Sequence, residues 1–204
     1  MSKAKTKGTT AAAAMDSHYM VVFGSQRHPN WPRFSHLFAA VVRARDDQAN
    51  PTVLEDYVIS WLPETRVIVP LHPWPETGEN FDLKTTLAWV TQHFARVQSE
   101  ITAWGPSRIE PRLYQAFVAR ADQLESGSIQ YIAADSGFRP DRATNCIHAL
   151  SDLGLTSHLL KTYATHGREA SRRVVDYFNT EGLLIDPSTV YPWIAHHFGL
   201  ENYP

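Results

Sequence analysis

The chain has 204 residues, enough for one domain of ordinary size, and 43% of them are apolar. A formal charge of −2 supplies no concentrated basic footprint for nucleic acid, and the six Trp, eight Tyr and nine Phe suffice for a core. One cysteine precludes an intramolecular disulfide and fits a reducing compartment, so a cytoplasmic location is expected.

Residues 1–17 read as a disordered leader: three lysines and no aromatics in the first seven positions, then four alanines before Met15, itself a candidate start. The alanine run is too short and too weakly hydrophobic for a signal peptide, and no apolar stretch reaches the roughly 18 residues of a transmembrane helix. From residue 18 onward a single α+β domain is expected.

Tyr19–Phe23 predicts a short strand ended by Gly24-Ser25, and the prolines at 29 and 32 make residues 27–35 a loop. His36–Ala44 predicts a buried strand, Thr52–Leu62 a second one closed by Pro63, and Arg66–Val69 a third piece. A proline-rich loop covers 71–80. Leu83, Leu87, Val90, Phe94, Val97, Ile101 and Trp104 recur at three- and four-residue spacing, which predicts one long amphipathic helix ended by Gly105-Pro106. With a shorter helix over 111–123, the region around 71–125 reads as a helical insertion. A strand over 128–134, a helix starting at the cysteine, and helices near 167–180 and 188–198 complete a small, mainly antiparallel sheet with packed helices.

Cys146 stands in Arg142-Ala143-Thr144-Asn145-Cys146-Ile147-His148-Ala149-Leu150, where a polar turn opens onto an amphipathic stretch. A thiol at a helix start faces backbone N–H groups that favour a thiolate and can hold an oxyanion. Its proton needs a base, and His36, rigid at the head of a strand, is the candidate. Each residue has a plainer reading: Cys146 as a small buried hydrophobe, His36 as an ordinary strand-edge histidine. His148, two positions from Cys146, does not share its helix face and reads as structural or supporting. Arg139 and Arg142 are placed to steer an anion or lower the thiol pKa. Neither a His-Glu-x-x-His zinc pattern nor a glycine-rich phosphate loop occurs, so no metal and no cofactor is expected.

Asn145-Cys146-Ile147-His148-Ala149 resembles the Asn-Cys-Glu-His-Phe signature of the circularly permuted papain-like hydrolases, the group of lecithin–retinol acyltransferase and its phospholipase/acyltransferase and cell-wall amidase relatives. The order of His36-Leu37-Phe38-Ala39-Ala40-Val41-Val42 before the cysteine resembles theirs as well. The resemblance implies Cys146 as nucleophile, His36 as base, and Ser60, in Val58-Ile59-Ser60-Trp61, where the relatives carry an orienting histidine. Asn145, His148, Arg139 and Arg142 would then support the site or contact substrate. The implied activity is acyl transfer or hydrolysis of an amide, ester or thioester in a small-molecule, lipid or peptide substrate. The chain also resembles a set of bacterial proteins with an Ile-Ser-Trp-Leu-Pro strand end and an Asn-Cys-Ile-His-Ala helix, a resemblance that brings no activity with it. The alternative is a non-catalytic binding domain that keeps the fold. Oligomeric state is left open by the sequence.

Overall fold

A computed structural model describes residues 16–28, 31–45, 51–70, 72–94, 99–134, 141–153 and 165–201. Its centre is a four-stranded antiparallel sheet in the order β3-β2-β1-β6. The strands are β1 (Asp16–Arg27), β2 (Ser35–Arg45), β3 (Thr52–Ile59) and β6 (Ser99–Ile109). Two short pairs flank it: β4 (Trp61–Pro63) with β5 (Gly78–Asn80), antiparallel, and β7 (Gln130–Tyr131) with β8 (Ala143–Thr144), parallel. The helices are α1 (Leu83–Phe94), α2 (Pro111–Glu125), α3 (Cys146–Ser151), α4 (Gly167–Thr180) and α5 (Pro192–His197). The expected α+β class is the one observed. No helix among the described residues is long and apolar enough to cross a membrane.

Helices cover both faces of this sheet, and the alternation of a strand decides which helix each residue meets. Met20, Val22, Leu37, Ala39 and Val41 point toward α2, α3 and α4 and form one core with Leu113, Phe117, Ile147, Leu150 and Val174. Tyr19, Val21, Phe23, Phe38, Ala40 and Val42 point the other way and form a second core with Leu83, Leu87 and Val90 of α1 and Ile194 of α5. Central strands with two covered faces have no polar side, which is why Leu37–Val42 reads as an unbroken apolar run. β3, at the edge, alternates instead between exposed and half-buried positions.

The expected helix over 83–104 ends at Phe94; residues 99–109 are a strand paired to β1 from His18↔Ile109 to Arg27↔Ser99. Leu83, Leu87 and Val90 do form a buried helical stripe. Beyond it, Ile101, Thr102 and Trp104 are good strand formers, and pairing with the hydrophobic β1 outweighs the local helical spacing. The register shifts between Met20 and Val22, opposite Gly105 and Pro106. Gly105 has φ of +99°, and a Cβ there would lie 2.8 Å from the Met20 carbonyl oxygen, so the irregularity requires glycine. The 71–125 region is therefore not a helical insertion: it supplies an edge strand of the main sheet. Asp16 and Ser17, expected in the leader, belong to β1, and residues 1–15 lie outside the described set. The expected strand at 66–69 is irregular chain, and the one at 128–134 shrinks to β7.

Candidate functional site

The segment before α3 is locally determined. Asn145, extended at φ −113° and ψ 176°, caps the helix: its side chain accepts hydrogen bonds from the Ile147 and His148 amides, both at 3.0 Å. Asn145→Ala is expected to cost about 1 kcal/mol of stability, read as a lower midpoint in urea with an unchanged slope. Cys146 is thus the first residue of a capped helix, as the sequence predicts.

The thiol itself is closed off. Cys146 is 6% exposed and belongs to the core between the sheet and α2–α4. Burial pushes its pKa up to about 11, against the opposing pull of the backbone amides of Leu37, Cys146 and Ile147. It lines a cavity of about 20 Å³ with Ser35, Ile68, Tyr131, Asn145 and His166, room for about one water molecule.

His36 lies on the opposite face. Strand alternation puts it with Phe38, on which its ring stacks at 5.3 Å, and its edge meets Trp89 of α1 at 6.0 Å. Leu37, the next residue, points to the Cys146 side. The structure therefore does not bring the expected base and nucleophile together: β2 itself stands between them. It does bring His36 and Ser60 together, with Nε2 2.9 Å from Ser60 Oγ, and Ser60 Oγ bonded in turn to Thr86 Oγ1 of α1 at 2.7 Å. All three side chains are buried. Burial alone lowers the His36 pKa to about 3, so the ring is neutral. Its Nδ1 is a buried atom without a hydrogen-bond partner among the described residues. With the proton on Nε2, donated to Ser60, that atom is a bare lone pair, the less costly group to leave unmet.

His148 also points away from the thiol's chemistry: its Nδ1 is 3.0 Å from Asp152 Oδ2, one turn on, where α3 ends. Arg142 is a solvent-facing side chain 3.6 Å from Asp141, and Arg139 lies outside the described residues. Among the described residues no group of three His, Cys, Asp or Glu side chains is arranged to hold a metal ion. Two residues that sequence reasoning passed over matter here. Thr86 completes the buried polar chain on one face, and His166, just before α4, lines the Cys146 cavity on the other. Position ahead of Gly167 at a helix start is the one sequence signal His166 carries.

A much larger concavity lies elsewhere, a groove of about 1130 Å³ where the end of β3 meets the start of α1 and the end of α5. Asp56, Tyr57 and Val58 form one side, and Lys84 and His197 lie among the others, with His197 Nε2 3.2 Å from Asp56 Oδ2. No family model, no curated protein and no solved structure matches the chain.

Proposed function

We propose that this chain is a non-catalytic binding domain in which Cys146 serves packing. The observation that carries this reading is the sheet between His36 and Cys146, which leaves the nucleophile of the implied dyad without the implied base. A thiol with a pKa near 11 is about one part in ten thousand thiolate at pH 7. Its cavity has no room for a carbonyl group and the chain bearing it.

A second reading, acyl transfer by Cys146, is favoured by one observation: His166 borders the same cavity as the thiol. In that reading His166 takes the thiol proton, the sulfur attacks a substrate carbonyl, and the proton passes to the leaving group before water releases the acyl chain. It requires the irregular segment carrying Ile68 and Pro70 to move away.

The two readings separate on the rate of Cys146 alkylation by iodoacetamide against pH, in the wild type, His36→Gln and His166→Gln. The binding-domain reading expects slow modification in the native protein, no inflection below pH about 9, and no response to either substitution. An inflection well below the roughly 8.5 of a free thiol that His166→Gln abolishes would overturn it in favour of the enzyme.

A further inference from the structure

On the α1 side of the segment 66–70 lies a pocket of about 270 Å³, which shares Ile68 and Pro70 with the Cys146 cavity and none of its lining with the groove beside β3. Its walls include Phe34, Ile68, Val69 and Trp89, and its charged groups are Arg33 and Arg66. No acidic side chain among the described residues lines it. Nor does either guanidinium make a hydrogen bond or ion pair with a described residue, the one bond of Arg66 being its backbone N–H to the Pro63 carbonyl at 2.7 Å. Each guanidinium instead lies over aromatic rings: Arg33 4.4 Å from the Phe34 centroid and 4.9 Å from Trp31, Arg66 4.3 Å from Phe81. Arg27 adds a third cation over the same Phe34 ring at 3.9 Å, so two like charges share one ring, neither in an ion pair with a described residue. Stacking engages the face of a guanidinium and leaves its N–H edge free for a planar or tetrahedral oxyanion.

The backbone gives an independent sign. Arg66 has φ of +58°, the one non-glycine residue with positive φ among those described. That conformation is strained for a residue with a Cβ, and such strain concentrates at ligand sites. Beside it Val67 and Val69 are 59% and 47% exposed, so apolar surface adjoins the cations.

We propose that this pocket binds a small amphipathic organic anion: a carboxylate or phosphate head held by Arg33 and Arg66, with a short apolar body against Ile68, Val69 and Trp89. The proposal holds under either reading of Cys146, since its probes report on Arg33, Arg66 and Trp89 and not on the thiol.

The probes are hexanoate, hexyl phosphate, hexanol and inorganic phosphate, titrated into the full chain by calorimetry, with the Trp89 indole N–H followed by NMR. Hexanoate or hexyl phosphate should bind about tenfold or more tighter than hexanol, the factor expected of a charge-assisted pair, and hexyl phosphate tighter than inorganic phosphate. Arg33→Gln and Arg66→Gln should each weaken binding by about tenfold while leaving the thermal midpoint in place. If only the carboxylate or only the phosphate binds in this way, the head group is identified. Hexanol binding as tightly as the anions would overturn the proposal. So would inorganic phosphate equal to hexyl phosphate, arginine variants of unchanged affinity, or no response to any probe at millimolar concentration.

Discussion

Trp61→Ala is expected to destabilise the protein by about 3–5 kcal/mol, the cost of emptying a fully buried tryptophan site. The indole is completely buried and holds three segments together. It belongs to β4; its Nε1–H donates to the Thr144 carbonyl of β8 at 3.1 Å; and Gly78 of β5 lies so close that a Cβ there would come within 2.1 Å of the ring. Thr144 immediately precedes the Asn145 cap. Its carbonyl keeps a second donor, the Ile132 amide at 3.0 Å, so the hydrogen bond is the smaller loss and the cavity the larger. Trp61→Phe fills most of the space without the N–H and should cost only about 1–2 kcal/mol. Urea denaturation of both variants checks the order. If Cys146 reacts only after unfolding, Trp61→Ala should also speed its alkylation by about two to four orders of magnitude, following the population of the open state. Equal stability of the two variants would mean that the indole N–H, not its volume, dominates.

The parts of the site differ in how far the sequence discloses them. Asn145 and Cys146 are legible because helix capping is local: the asparagine, the turn before it and the apolar stretch after it are all in one short run. The orientation of His36 is not legible. In Leu37-Phe38-Ala39-Ala40-Val41-Val42 every position is buried, since helices cover both faces, and an unbroken apolar run carries no parity to say which side a neighbouring histidine faces. The strand at 99–109 is hidden for a different reason. Its apolar residues continue the spacing of α1, and what makes it a strand is pairing with β1, some eighty residues earlier in the chain. The partners of Cys146 share that difficulty: Ser35, Ile68 and His166 come from three distant segments, and nothing local announces that they meet. The α+β class survives these errors because it needs only the kinds of elements present, whereas a dyad depends on which face each side chain takes.

Lowering the pH from 7.5 to 5 is expected to remove about 2 kcal/mol of stability through His36 alone. The ring is fully buried, and its pKa falls from 6.5 to about 3 because the charged form loses its hydration. The described residues around it offer no compensation: Ser60 and Thr86 are neutral hydroxyls, Phe38 and Trp89 are aromatic rings, and protonation would create a buried N–H at Nδ1 without an acceptor among them. The folded pKa is depressed, so the unfolded chain binds the proton first. The contribution is complete above pH about 6.5, declines as the unfolded histidine titrates, and is exhausted near pH 3 after a total loss of about 5 kcal/mol. His36→Gln removes the titration while keeping an N–H donor for Ser60 Oγ. Its urea-derived stability should therefore fall less steeply than the wild type's over this window, by about 2 kcal/mol. Parallel curves for the two proteins would show that His36 takes up a proton as readily in the fold as outside it, and would place the ring within reach of solvent.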